Sequence, residues 1–82
     1  MEVGQVCWMH NRVFIVGKIG SKWITGLVIN ADGLSTLKSG PQDLTPAMYK
    51  GKPYPPAKMR GHLRKARALT KTAKKIRKEL LA

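Results

Sequence analysis

The sequence is poor in cysteine and in acidic residues, and these shortages limit what the protein can be. Cys7 is the only cysteine, which excludes a disulfide-stabilised secreted scaffold and predicts a buried structural thiol. Only four Asp and Glu are present among 82 residues. They offer no carboxylate pair for acid–base catalysis, and Cys7, His10 and His62 lack the spacing of zinc ligands. We therefore expect no catalytic residue, no metal and no cofactor, and a protein that is not an enzyme.

Long apolar runs are also missing. The longest nearly apolar stretch, residues 23–29, is far shorter than a bilayer span, and no basic and then apolar leader opens the chain. We expect a protein that does not enter the membrane and that resides in the cytoplasm or is associated with the nucleoid or another nucleoprotein.

Positive charge is abundant and unevenly placed. Sixteen Lys and Arg give a formal net charge of +12. Residues 1–49 are nearly neutral, whereas residues 50–82 carry twelve basic side chains against Glu79 alone. This asymmetry predicts an anionic partner for the second half of the chain.

The front half has the pattern of short β-strands. Runs rich in Val, Ile and Trp are separated by turn residues at His10-Asn11, Gly20-Ser21 and Ala31-Asp32. The predicted strands are Val3–Met9, Arg12–Ile19, Lys22–Asn30 and Gly33–Lys38, with a last short strand or a turn at Leu44–Pro46 to close the barrel. Gly20-Ser21 fits a two-residue hairpin loop, and Gly17 and Gly26 predict bulges or bends. We expect residues 1–46 to form a small antiparallel barrel.

The second and third predicted strands are apolar on both faces. One face would fill the barrel, and the other needs a cover: the C-terminal helix, a partner protein or a second copy of the chain. The residues assigned to the partner-binding face are Phe14, Val16, Ile24 and Val28.

Four of the five prolines lie in residues 46–56, which predicts a Pro-rich linker over residues 47–56. Pro55-Pro56 can open a helix, and apolar residues from Met59 to Leu80 recur at spacings of three and four. We expect one long basic amphipathic helix over residues 57–82, about 37 Å long.

Basic residues recur on the face of this helix opposite the apolar stripe, without alternating acids. Such a face is typical of contact with a phosphate backbone. The predicted nucleic-acid-binding residues are Arg60, Arg64, Arg67, Lys71, Lys74, Lys75 and Lys78, together with Lys50 and Lys52 in the linker.

Aromatic residues are few, and two kinds of role are compatible with them: packing in the core and stacking on bases. Trp8 and Trp23 are expected to be buried in the small core in preference to stacking on bases. Tyr49 and Tyr54 lie among lysines and are possible stacking residues, although packing against the prolines is equally compatible with the pattern.

The opening Val3-Gly-Gln-Val-Cys-Trp8, the runs Val13–Ile19 and Trp23–Ile29, and Leu44-Thr-Pro46 resemble the SH3-like small barrels. The resemblance is nearest to the Tudor, chromo-barrel and integrase C-terminal types and covers a little over half of the chain. It implies a barrel fold and a broad binding role. The aromatic cage spacing of methyl-lysine readers is absent, so that activity is not implied.

These features predict a non-enzymatic protein that binds the backbone of DNA or RNA with little sequence specificity. The alternative is a small adaptor or inhibitor that docks by its barrel on a protein of a nucleic-acid machine, such as a polymerase or a ribosome. A weaker alternative is binding to an anionic membrane surface, which the Ala-rich apolar face of the helix disfavours.

Overall fold

The front half of the chain forms one antiparallel sheet with the strand order β4-β3-β2-β1-β5. The computed structural model describes all residues from 1 to 82. The strands are β1 (Val6–Met9), β2 (Arg12–Ile19), β3 (Ile24–Asn30), β4 (Gly33–Ser39) and β5 (Leu44–Pro46). A 3₁₀ turn at Pro41–Asp43 precedes β5, which pairs with β1. The sheet is open, because β4 and β5 remain its two edges.

The hairpins follow the predicted turns with one difference. β1 and β2 are joined at His10-Asn11, with His10 at φ 57°, and β3 and β4 are joined at Ala31-Asp32. The register between β2 and β3 shifts between Val16 and Lys18, which confirms the predicted bulge at Gly17. The loop between β2 and β3 occupies residues 20–23, so the predicted two-residue turn at Gly20-Ser21 is wrong. Gly20 N–H instead donates to the Trp23 carbonyl across 2.9 Å.

Both faces of the sheet are buried, as the apolar alternation requires. We call the core on the face that the helices cover the outer cluster. It combines Val6, Ile15, Leu27 and Leu34 of the sheet with Ala47 and residues of the two helices. We call the core on the opposite face of the sheet the inner cluster. It contains only sheet residues: Cys7, Phe14, Val16, Ile24, Val28 and Leu44. The C-terminal helices therefore provide the cover that the outer face needs.

The expected single helix is wrong. The chain forms α1 (Pro56–Lys65) and α2 (Lys71–Leu81), separated by residues 66–70. A continuous helix of about 37 Å would overhang a domain whose largest extents are 30 × 28 × 24 Å. The break lets Met59 and Leu63 of α1 and Ala73 and Ile76 of α2 all reach the outer cluster.

Two local interactions define the break. The Thr70 side chain accepts a hydrogen bond from Ala73 N–H at 3.0 Å and caps α2. The extended backbone before it pairs with the start of β4: Leu34 N–H donates to the Arg67 carbonyl at 2.7 Å, and Leu69 N–H donates to the Leu34 carbonyl at 2.9 Å. The segment between the two helices is therefore held by hydrogen bonds to the edge strand β4.

The segment expected to be an extended linker folds back on the sheet. It contains a small hairpin of β6 (Met48–Tyr49) and β7 (Lys52–Pro53), turned at Lys50 and Gly51 with φ 54° and 77°. Ala47 is buried, and its N–H donates to the Val6 carbonyl at 3.0 Å. The prolines are compatible with this arrangement because each strand of the hairpin is only two residues long and is an edge strand.

Candidate nucleic-acid interface

α2 presents a continuous cationic surface. Ala73 and Ile76 are buried, and about 100° of rotation per residue places the lysines on the opposite side of the helix. All four of them are exposed. We call this surface the α2 lysine face; it consists of Lys71, Lys74, Lys75 and Lys78.

The other predicted cationic residues do not share that helical face. Arg60 is half-buried and Arg64 exposed on α1, whereas Arg67 is exposed in the extended segment between the helices. The break therefore divides the seven predicted helix residues into three local groups. It also removes the repulsion that Arg67 and Lys71 would have had one turn apart in a continuous helix.

A second group of cations surrounds the tyrosines of the β6–β7 hairpin. The Lys50 ammonium lies 5.4 Å from the centre of the Tyr49 ring, and the Lys58 ammonium lies 4.8 Å from it. Both distances are within the range of cation–π attraction. Lys52 is exposed and pairs with Tyr49 across the hairpin. Lys58 is absent from the predicted set, although its place among the tyrosines and lysines of this segment was a usable signal.

The aromatic rings continue from this hairpin into α1. Tyr49 and Tyr54 meet edge to face with ring centres 5.9 Å apart. The Tyr54 hydroxyl and His62 Nε2 form a hydrogen bond of 3.0 Å. His62 was not foreseen as part of the site, because only the packing of α1 against the hairpin brings it to Tyr54.

Beside these rings lies an apolar groove of about 310 Å³. Its floor is formed by buried residues of the outer cluster, including Val6, Ile15 and Met59. Its rim is formed by side chains of the sheet, the hairpin and α1. We call it the aromatic groove; its rim residues are Trp8, Val13, Ile29, Met48, Tyr54 and His62.

The two tryptophans are exposed, and the expectation that they fill the core is wrong. Trp8 is 44% exposed and Trp23 is 57% exposed. Phe14 and aliphatic residues fill the inner cluster instead. Trp8 is two residues from Val6 and projects from the same face of β1, at the rim of the aromatic groove. Trp23 lies in the loop between β2 and β3.

The predicted partner-binding residues do not form an exposed surface. Phe14, Val16 and Val28 are fully buried and Ile24 is 3% exposed. They pack against one another and against Cys7 and Leu44 on the inner face. This assignment is corrected: the alternation that suggested an outer docking face reflects a second buried core.

Cys7 is buried with them, as predicted. Desolvation raises the pKa of its thiol and outweighs the opposing effect of the N-terminal ammonium. No three His, Cys, Asp or Glu side chains lie close enough together to hold a metal ion. Neither helix is long and apolar enough to cross a lipid bilayer.

Comparison with known proteins adds no relative, since no family, curated protein or solved structure matches this chain.

Proposed function

We propose that this protein binds the phosphate backbone of nucleic acid without catalysing a reaction. The observation that carries the proposal is the α2 lysine face: four exposed lysines on one side of a helix whose other side is fixed to the sheet. Because the packing of α2 on the sheet fixes the helix backbone, the four lysines are already on one side of the domain before a phosphate arrives. Point charges on flexible stems match phosphates and do not read base edges, so sequence specificity is weak.

Arg60 and Arg64 on α1 and Arg67 in the break add cations outside the α2 lysine face, and Lys50 and Lys52 add charge at the hairpin. The supporting fact is that residues 50–82 have a single acidic residue, so the cations are not neutralised within the chain. Such a field attracts a polyanion from a distance and speeds its association. The proposal places the protein with its nucleic acid, in the cytoplasm or the nucleoid.

The proposal includes the finer architecture. A sheet whose fifth strand returns to the first, with a bulge in β2 and a cluster enclosed on its inner face, is consistent with an incompletely closed SH3-like barrel. In such an arrangement the sheet acts as the platform on which the two cationic helices are mounted.

The test is the salt dependence of nucleic-acid binding, measured by fluorescence anisotropy with labelled duplex DNA. A variant with Lys71, Lys74, Lys75 and Lys78 all changed to Ala removes the α2 lysine face. The matched control changes Arg12, Lys18, Lys22 and Lys38 to Ala, which are equally exposed but lie in the sheet half. Both variants lose the same charge.

If the lysines contact phosphates, the slope of log affinity against log salt flattens by about 3.6 in the first variant, at about 0.9 per contact. The control retains the wild-type slope. Equal losses in both variants would show that only net charge matters, and would refute the assignment of the interface to α2. Absence of salt-dependent binding by the wild type to duplex and to single-stranded DNA alike would refute the proposed function itself.

The adaptor alternative keeps one supporting observation. Ile19, Trp23 and Leu37 are large apolar side chains exposed on the sheet half of the chain. A protein partner on a polymerase or ribosome would contact these residues and not the buried set. A Trp23→Ala variant that binds nucleic acid normally but no longer associates with such a complex would support the alternative.

A further inference from the structure

The aromatic groove leaves a large ring beside unfilled apolar space. Trp8 is 44% exposed at its rim, and buried core residues form the floor. Its volume of about 310 Å³ is at the lower limit of pockets that hold small ligands. A ligand here needs a flat apolar body, because the rim offers ring faces and few free polar groups.

The charge around the groove indicates the rest of that ligand. No acidic side chain lines it, whereas the Lys50 and Lys58 ammonium groups lie against Tyr49, one ring beyond Tyr54. A neighbouring cavity between the N-terminal segment and the helices is larger, and its lining carries charges of both signs, with Glu2 and Glu79 beside Arg60. An anionic ligand therefore meets no acidic side chain in the aromatic groove, whereas it meets two in that cavity.

We infer that the aromatic groove binds an unpaired nucleobase of a single strand, stacked on Trp8 near Tyr54 and His62, while Lys50 and Lys58 contact the adjoining phosphates. A base is flat and apolar on its faces, and it is joined to negative charge on either side, as the groove and its surroundings require. Bases in a duplex are stacked on one another and cannot enter. Stacking tolerates any base, so the inference agrees with weak sequence specificity.

This inference rests on the proposed function and deepens it by naming single-stranded nucleic acid as the preferred substrate. The Tyr54–His62 hydrogen bond of 3.0 Å supports it, because it fixes two of the rim rings relative to each other before a ligand arrives. A single apolar side chain of a protein partner could also fill the groove, but it would not use the adjacent ammonium groups.

The test uses the full chain and a labelled single strand of about 12 nucleotides, within the site sizes of small single-strand-binding folds. Trp8→Leu removes the stacking surface and retains apolar bulk, Trp8→Phe retains an aromatic ring, and Trp23→Leu is the matched control at the other exposed tryptophan. A strand of the same length made of abasic sites retains the phosphates but lacks bases. In a Trp23→Phe protein, Trp8 is the remaining tryptophan. Its fluorescence, followed while single strand is added, reports on the groove alone.

We expect Trp8→Leu to weaken single-strand binding about 5- to 150-fold, the range that corresponds to 1–3 kcal/mol of stacking. Duplex affinity and the salt slope should not change, Trp8→Phe should recover much of the loss, and the abasic strand should bind wild type as weakly as the natural strand binds Trp8→Leu. Bases should quench Trp8 fluorescence.

Equal single-strand affinity for wild type, Trp8→Leu and Trp23→Leu would overturn the inference. The proposed function would survive that result if salt-dependent duplex binding still required the α2 lysine face. Quenching of Trp8 by the abasic strand as strongly as by the natural one would also overturn it, because the groove would then respond to phosphates alone.

Discussion

The contact between Gly17 of β2 and Ile76 of α2 gives the sharpest test of how the helices are attached to the sheet. A Cβ atom placed on Gly17 would lie 2.7 Å from Ile76 Cγ2 and 3.3 Å from the Thr25 carbonyl oxygen. Real Cβ atoms do not approach a carbon that closely, so either α2 or β2 has to move. The backbone of Gly17 is not in the left-handed region, and the cost of Gly17→Ala therefore comes from this contact.

Overpacking of this kind costs about 1–3 kcal/mol of the free energy of unfolding. A domain of this length has about 4–12 kcal/mol in total, so the loss is a substantial part of its stability. It corresponds to a fall in Tm of about 4–8 °C for each kcal/mol. Urea denaturation followed by circular dichroism measures the change directly.

Gly61→Ala is the matched control, because it makes the same substitution where nothing lies within 4 Å of the added atom. Gly61 is inside α1, and alanine there should stabilise the protein by about 0.5–1 kcal/mol. The two Gly→Ala changes should thus have opposite signs.

A double-mutant cycle identifies the contact. Ile76→Ala alone costs about 2–5 kcal/mol because Ile76 is in the outer cluster. Gly17→Ala combined with Ile76→Ala should cost less than the sum of the single changes, by about 1–3 kcal/mol, since the clashing methyl group is gone. Additive costs, or a Gly17→Ala protein as stable as wild type, would refute the close packing of α2 on β2.

Two further predictions concern the helix break and the inner cluster. Thr70→Ala should lower the free energy of unfolding by about 1 kcal/mol, through loss of the cap on Ala73 N–H, whereas Thr70→Ser should retain most of it; chemical denaturation measures both, and equal stability of the two variants would contradict the cap. Burial raises the pKa of the Cys7 thiol above its unfolded value. The resulting stability is therefore present below the unfolded pKa and is lost as the pH rises through the folded one, so stability should fall at alkaline pH. A Cys7→Ala variant whose denaturation midpoint falls by the same amount would contradict this assignment.

The strands were predictable from sequence because their signal is local. Alternating Val and Ile between Asn, Asp and Gly turns fixes where β2 begins and ends, and the observed Arg12–Ile19 has the predicted bounds. A strand that is apolar on both faces needs a second element to bury one of them. Burial by the C-terminal helix was one of the predicted alternatives. The identity of the inner face was not predictable, because a one-sided docking surface and a second core give the same alternation.

The break between α1 and α2 was not predictable from the helical pattern of the sequence. Every residue from 66 to 70 is compatible with a helix apart from the β-branched Thr70, and the apolar spacing of three and four continues through Ala66 and Leu69. Thr70 is a favourable N-cap residue, which was the only local signal. The deciding interaction is non-local: the backbone of residues 67–69 pairs with Leu34, and helical periodicity contains no information about that contact.

The candidate site shows the same division between local and non-local information. The α2 lysine face was predictable, because charge and helical periodicity are both in the sequence. The aromatic groove was not, since Trp8 and His62 are distant in sequence and only the packing of α1 beside β1 brings them to one rim. The sequence predicts Tyr54 as a possible stacking residue, but a pattern that does not contain its partners cannot distinguish stacking from packing on proline.

The energetics of α2 make the lysine variant a clean probe of binding. In wild type, the pairs Lys71–Lys75 and Lys74–Lys78 are one turn apart and repel each other by about 0.2–0.5 kcal/mol each. Full burial of a side chain such as Ile76 is worth about 1.5–3 kcal/mol, so docking on the sheet outweighs the repulsion and α2 needs no polyanion to form. Replacing the four lysines with alanine removes the repulsion and introduces the best helix former. The variant should be at least as stable as wild type, and any loss of nucleic-acid affinity then comes from the missing charges and not from a disordered helix.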